Sequence, residues 1–283
     1  MTTEELRTDI RDRIAARDRV GIAALADQVN AAEWADVVPS LDTHEVAILL
    51  QWLPDEELPE LLTELDPTHA ASILRTLSRH EAADVLEAME PDDATDVLDA
   101  LPEAEAEQIL IAMEPAEAEE IRDLLAYPPD TAGGIMTPAF VAIAPGLRAD
   151  QAIQALRRVA EEAETLYYAY VVDPADHLLG VLSLHNLVLA RPDTPVGDLM
   201  IRDVISVRAD EDQETAARDL MDHNLLALPV VDQENRLLGI ITEDDVADVL
   251  EAEATEDIER LGGSQPLEVS YRRATISLLF RRR

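Results

Sequence analysis

Oxygen is the one metal-ligand chemistry this chain offers in quantity. It carries 60 Asp and Glu residues against 22 basic residues, every one of them Arg, for a formal net charge of −38, and it has no cysteine. Carboxylates suit hard cations, whereas disulfides and thiolate zinc sites are excluded. Asp92 and Asp96 stand four residues apart, a spacing that puts two carboxylates on one face of a helix. The usual catalytic words are missing. There is no G-x-S-x-G, no H-E-x-x-H and, with no Lys anywhere, no Gly-Lys phosphate loop. The six histidines are scattered, and His69 and His80 are expected at the surface rather than on a metal. The reading is therefore a protein that is not an enzyme. Its charge repels nucleic acid, which needs a basic footprint, and attracts cations. Salt-adapted and GC-rich genomes also encode acidic chains, so net charge alone does not assign a metal site and placement must decide.

The elements that carry these acids repeat. A series of apolar residues runs Leu41, Leu53, Leu65, Leu77, Met89, Leu101, Met113 and Leu125 in steps of twelve. Leu50, Leu62, Leu74, Leu86, Leu98 and Leu110 keep a second register, Leu49, Leu61, Ile73, Val85, Val97, Ile109 and Ile121 a third, and Ala70, Ala82, Ala94, Ala106 and Ala118 a fourth. Asp66-Pro67, Glu90-Pro91 and Glu114-Pro115 place an acid before a proline, which suits a helix start. Helices of eight or nine residues are marginal alone, so the region must stack as a helical superhelix. With aromatics at 3% and apolar residues at 47%, its core must be Ala, Leu, Val and Ile. The start of the chain is charged and reads as no signal peptide. No apolar run approaches the roughly 20 residues that cross a bilayer, so the chain as given is expected to be soluble.

Beyond Pro128-Pro129-Asp130 and Gly133-Gly134 the character changes. Val171-Val172-Asp173 followed by Leu178-Leu179-Gly180-Val181-Leu182-Ser183 matches Val230-Val231-Asp232 followed by Leu237-Leu238-Gly239-Ile240-Ile241-Thr242, at a constant offset of 59. Helical stretches at 151–162 and 213–223 precede these words, and others at 184–190 and 243–251 follow them. The unit is a duplicated β-α-β-β-α.

This duplicated unit resembles the CBS domain, which works in pairs and presents clefts for adenine nucleotides. The resemblance implies that Gly-hydrophobic-x-Ser/Thr-x-x-Asp holds the ribose. The second copy supplies Gly239, Thr242 and Asp245; the first supplies Gly180 and Ser183 but has Asn186 in place of the acid, which should weaken binding there. With Tyr168, the implied nucleotide residues are Tyr168, Ser183, Asn186, Thr242 and Asp245, with ATP as the ligand. The helical superhelix followed by a CBS pair is similar to the cytoplasmic region of MgtE-type magnesium transporters. The words Ala132-Gly133-Gly134-Ile135-Met136-Thr137-Pro138, Glu164-Thr165-Leu166-Tyr167-Tyr168 and Asp244-Asp245-Val246-Ala247-Asp248-Val249-Leu250-Glu251 carry that resemblance.

The resemblance implies Mg²⁺ ligands at Glu60, Asp92 and Asp96 on the helical domain, and at Asp212, Glu214, Asp245, Asp248, Glu253, Glu256 and Asp257 on the CBS side. A further family acid is replaced by Asn224, with Asp222 nearby. The expected fold is α+β and multidomain: an N-terminal helical segment (1–25), a helical-repeat domain (26–127), a linker (128–135), CBS domains at 136–198 and 199–256, and a connecting helix (257–283). The implied function is Mg²⁺ sensing at the inner face of the cell membrane, in a homodimer that closes on Mg²⁺ and limits influx through a membrane channel, carried in the same chain or a separate one. Arg272, Arg273, Arg281, Arg282 and Arg283, with no acid after residue 270, suit a basic end lying beside that membrane face. The rival reading is a free-standing CBS pair that senses an adenine nucleotide for a soluble partner.

Overall fold

The computed structural model describes residues 2–54, 56–159, 163, 165–247 and 249–250. Two compact units divide between Arg122 and Asp123.

The first unit is all helix. Its elements are α1 (Thr3–Ala16), α2 (Arg19–Ala26), α3 (Ala31–Val37) with a 3-10 turn (Val38–Ser40), α4 (Thr43–Trp52), α5 (Glu57–Thr63), α6 (Pro67–Leu74), α7 (Arg79–Glu87), α8 (Pro91–Asp99) and α9 (Glu103–Leu110); α10 (Pro115–Leu124) runs across the division. The expected starts at Pro67, Pro91 and Pro115 are all found. The side chain of Asp66 accepts the His69 N–H at 3.2 Å and caps α6. Thr2, Asn30, Asp42 and Ser78 head other helices with reciprocal capping boxes, each closed by a Glu three residues on.

Helices two apart in sequence lie side by side: α3 with α5, α5 with α7, α6 with α8 and α7 with α9. The structural repeat is thus a helix pair, which is why Pro67, Pro91 and Pro115 recur on alternate helices, while the twelve-residue register marks each single helix. Leu62, Leu74, Leu86, Leu98 and Leu110 are all at most 3% exposed, and the five register alanines are buried as well. The small alanines of the fourth register let neighbouring helices approach while the leucines fill the seam. Leu41, Leu50, Leu77, Val85 and Leu125 are only half-buried, so these registers weaken at single positions.

The second unit holds two three-stranded sheets. In the first, β1 (Ala142–Ile143) runs parallel to β2 (Tyr168–Val172), which pairs antiparallel with β3 (Leu178–Ser183). The second repeats this with β4 (Val207–Arg208), β5 (Ala227–Val231) and β6 (Leu237–Thr242). Even the irregularity repeats, at Val171/Val172 and at Val230/Val231. Helices α11 (Ala149–Leu156) and α14 (Gln213–Asp222) precede the hairpins; α12 (Leu184–Leu189) and α13 (Val196–Leu199) follow the first, and residues 243–247 and 249–250 are helical after the second. The duplicated order agrees with expectation. The first helix, expected to reach 162, ends at Leu156; of its last expected residues, 160–162 lie outside the described part.

Strand alternation splits the side chains between cores. Ala169, Val171 and Leu182 face the core of the first copy, and Leu228, Val230 and Ile241 that of the second. Tyr170, Ala227, Val231 and Ile240 form a third core shared by both copies.

The hairpin tips also interlock. Leu178 N–H donates to Asn235 O and Leu237 N–H to Asp176 O, both at 2.9 Å. Asp176 and Asn235 have φ near +64° and +63°, a left-handed conformation that Asp and Asn tolerate. Asp173 and Asp232 tie the turns by accepting backbone N–H groups, and those bonds hold both carboxyls below the usual range.

The seam yields a direct test. Leu98→Ala should lower the stability of the helical unit by ~2–5 kcal/mol. Denaturant unfolding followed by circular dichroism reads this, and a loss below ~1 kcal/mol would mean that the register is not the core.

Candidate functional site

Two adjoining clefts open on the second unit where the hairpins hand over to their following helices. One, of about 410 Å³, is walled by Tyr167, Tyr168, Ser183, His185, Val188 and Leu226. The other, of about 500 Å³, is walled by Thr165, Tyr167, Leu226, Thr242, Glu243 and Asp244. Tyr167 and Leu226 belong to both. These volumes fall within the ~300–1,000 Å³ typical of small-molecule sites.

Three residues expected at a nucleotide site, Tyr168, Ser183 and Thr242, therefore line clefts. Asp245 and Asn186 act from behind them. Thr242 donates its backbone N–H to Asp245 Oδ2 at 2.9 Å, and its hydroxyl lies 2.7 Å from the same oxygen and also against Asp244. Ser183 Oγ accepts the Asn186 N–H at 3.2 Å. The Ser/Thr-x-x-Asp/Asn word is thus a helix start in both copies: the hydroxyl residue stands at the N-cap, and the residue three on completes the turn. Asn186 fills this role through its backbone, so loss of the acid leaves the cap of α12 intact.

The motif glycines serve packing. A Cβ on Gly239 would stand 2.8 Å from Thr137 O and 2.9 Å from Met136; one on Gly180 would stand 2.8 Å from Ile201 O. Thr137 and Ile240 exchange backbone hydrogen bonds at 2.8 and 2.9 Å, and Ile201 and Val181 do the same. Each copy's sheet is thus extended by the segment that precedes the other copy, and glycine allows that close approach. The stretch around Gly133, expected to link domains, is bonded here to the second copy through Ala132 N–H to Glu211 O and Gly133 N–H to Ala209 O.

No sequence motif assigns Thr165, Leu226, Glu243, Asp244 or His185 to a site. Tyr167 was visible as one of two adjacent tyrosines in an aromatic-poor chain, and Asp244 as half of an acid pair after Thr242. Leu226 carries no motif, because only the fold brings it beside Tyr167.

The metal candidates are placed as follows. Asp92 is half-buried in the first turn of α8, and Asp96 is exposed one turn further on. Asp93, between them, accepts the Thr63 hydroxyl at 2.8 Å and ties α8 to α5. Glu60 is exposed on α5. Beside it, the Glu57 carboxyl is pushed up by burial and then by the negative charges of Glu60, Glu56 and Asp27. Asp212 caps α14 by accepting the Thr215 N–H at 3.3 Å, and Glu214 pairs with Arg218 at 3.4 Å. Asn224 has φ +51° just past α14, a left-handed helix ending that Asn accepts. Among the described residues, no group of three or more His, Cys, Asp or Glu is arranged to hold a metal ion. Asp248, Glu253, Glu256 and Asp257, like the arginines after residue 270, lie outside the described residues. His80 is exposed as expected, whereas His69 is half-buried against Asp66. No helix of the described residues is long and apolar enough to cross a membrane.

A superhelix of short capped helices ahead of two interlocked hairpin-and-helix copies, with clefts of small-molecule size, defines the architecture of a regulatory module. Comparison with known proteins agrees. Residues 29–130 match the MgtE intracellular N domain, and residues 132–193 and 196–252 match the CBS domain. The crystal structure of the cytosolic domain of the Mg²⁺ channel MgtE in complex with ATP superposes with a TM-score of 0.81 at 35% identity, covering 86% of this chain and 99% of that one. That of the soluble part of a magnesium transporter gives 0.78 at 34% identity, covering 89% of this chain and 100% of that one. The magnesium transporter MgtE of Thermus thermophilus is 50% identical over 151 residues, which is 53% of this chain and 34% of the transporter. That of Enterococcus faecalis is 44% identical over 149 residues, 53% of this chain and 33% of its own length. The chain belongs to the MgtE family, as its intracellular N domain and CBS pair. It spans about a third of the length of the curated relatives it matches.

Two outcomes follow from the site. Gly239→Ala should destabilise the second unit by ~1–3 kcal/mol, because the new methyl meets the backbone of Thr137. Gly146→Ala, where the methyl would meet nothing within 4 Å, should stay within ~0.5 kcal/mol of wild type in the same unfolding experiment. Glu57→Gln should stabilise the protein at neutral pH. Folding raises the Glu57 pKa, so the folded state holds the proton more tightly and ionisation opposes folding. The gain should shrink as pH falls through the carboxylate range, and melting temperatures from pH 7 to pH 4 read it.

Proposed function

We propose that this module senses Mg²⁺ on the cytoplasmic side of a membrane and biases a magnesium transporter or channel towards its closed state. The observation that carries the reading is the match to the cytosolic domain of the Mg²⁺ channel MgtE, which is covered almost end to end. The placement of Asp92 and Asp96 on one helix supports it. Mg²⁺ keeps several waters and takes one or two carboxylates, so a pair of this kind is a sufficient protein contribution to one site. Glu60, Asp212, Glu214 and Asp245, with Asp248, Glu253, Glu256 and Asp257, are the further candidate ligands.

The mechanism is a population shift. With a net charge of −38, the two units, and two copies of the chain in a homodimer, repel one another when no metal is present. A cation held by acidic side chains offsets that repulsion, and the closed arrangement gains in proportion to its greater affinity for the ion. A channel joined to this module, in the same chain or as a separate one, would then close when internal Mg²⁺ is high. The reading includes the basic residues after 270 at the cytoplasmic membrane face.

The second reading, an adenine-nucleotide sensor, is favoured by the clefts at Tyr168, Ser183 and Thr242. The related domain crystallised with ATP gives it weight. The two readings combine if nucleotide occupancy tunes the Mg²⁺ response.

Small-angle scattering at fixed, high ionic strength is the test. Millimolar Mg²⁺ should shrink the radius of gyration for a given mass and raise the dimer fraction, beyond what NaCl does by screening. Asp92→Asn with Asp96→Asn should lose most of that response. These changes keep shape and leave the Thr242–Asp245 cap untouched. An equal response in wild type and the double variant would mean that the pair is a solvated face.

A further inference from the structure

The charge of the clefts says which form of a nucleotide they admit, an inference that rests on the nucleotide reading above. The 500 Å³ cleft fits a nucleoside. Tyr167 offers an aromatic face and Leu226 an apolar one, while Thr165, Thr242, Glu243 and Asp244 supply hydroxyls and carboxylates. Carboxylates accept hydrogen bonds from ribose hydroxyls and from an exocyclic amine. They do the opposite for phosphate, which is acceptor-only and negatively charged at neutral pH.

Among the described residues lining either cleft there is no Arg, and the chain has no Lys at all. His185 is the one imidazole, and it lies in the other cleft. Four arginines of this unit pair with acids: Arg148 with Asp150, Arg208 with Asp210, Arg218 with Glu214 and Arg236 with Glu234. Arg202 donates to the Gly197 carbonyl. Sites that bind free polyphosphate meet its charge with guanidinium or ammonium groups or with a helix N-terminus. Here the helix that begins after Thr242 has its first turn occupied by Glu243, Asp244 and Asp245.

We propose that the cleft at Thr242 takes adenosine phosphates with their charge neutralised by a divalent cation, and discriminates against the free polyphosphate. The nucleoside supplies the contacts, and the metal offsets repulsion between the phosphates and Glu243 and Asp244. No bond is made or broken. One consequence is that nucleotide occupancy becomes a second readout of Mg²⁺, since the metal complex is the species that binds.

Calorimetric titration of the full chain separates the claims. Adenosine, which carries no phosphate, should bind in EDTA. ATP in EDTA should bind at least ~10-fold more weakly than ATP with Mg²⁺, a gap of ~1.4 kcal/mol. The exchange-inert chromium(III) complex of ATP, added in EDTA, should match Mg-ATP. This arm removes free metal, so tighter binding cannot come from Mg²⁺ acting elsewhere on the protein. Glu243→Gln with Asp244→Asn should narrow the gap between free and metal-bound ATP. If adenosine binds but free ATP binds as tightly as its metal complexes, the discrimination is refuted and the cleft reading stands. If adenosine binds and ATP binds in neither form, the proposal fails because phosphates are excluded outright. If adenosine itself does not bind, the nucleotide reading falls and the proposal falls with it.

Discussion

Carboxylate repulsion is the constraint this fold is built around. A chain of net charge −38 can condense only if its acids stay at the rim of apolar seams. The helical unit achieves this with short helices, and α6 to α9, of eight or nine residues, each present one Leu register and one Ala register inward. No aromatic stands in those registers. The seams are thin, the acids at their edges stand near one another, and Glu57 records the result: its carboxyl is raised partly because Glu60, Glu56 and Asp27 surround it. On the proposed Mg²⁺-sensing reading, a protein held in this tension responds to cations in its ordinary folded state. Sensing requires only that some acids be placed so that one arrangement of the chain binds the ion better than another.

Helix starts carry a second role throughout. Asp66, Asp42 and Asp212 accept backbone N–H groups at the heads of their helices, and Asp92 and Asp93 sit in the first turn of α8. Acids at helix N-termini stabilise the helix dipole at low dielectric cost, so a very acidic chain can place many of its charges there. Thr242 and Asp245 show the same economy at a cleft, where the bonds that start the last described helix also fix the Thr242 side chain in the wall. Structural and ligand-facing duties therefore coincide at these positions, and a substitution such as Asp245→Ala would disturb both.

Much of this was legible in the sequence, for stated reasons. The proline-marked starts of α6, α8 and α10 were readable because proline at the first helical position and an acid before it are local signals. The duplicated strands were readable because Val171-Val172-Asp173 and Val230-Val231-Asp232 repeat word for word. The helix-pair unit of the superhelix was harder, since alternate helices touch through space and only the 24-residue recurrence of proline hints at it. The cross-extension of the sheets by Thr137 and Ile201 was not readable, because Gly239 and Gly180 look like ligand-binding glycines until the neighbouring strand is seen against them. The cleft wall at Leu226 was not readable for the same reason. For the metal candidates, spacing identified the Asp92–Asp96 face, but the partners that would complete a site are not set by local sequence.

The most direct test of Mg²⁺ sensing is a Mg²⁺ titration followed residue by residue through backbone amide resonances, in a background of high NaCl. On the Mg²⁺-sensing reading, shifts concentrate on α8 around Asp92 and Asp96 and on the candidate acids Asp212, Glu214 and Asp245 of the CBS copies, saturate with a single affinity at each site, and are not reproduced by further NaCl. Uniform small shifts across all acidic surfaces, matched by NaCl, would contradict it and leave the acidity as solvation alone.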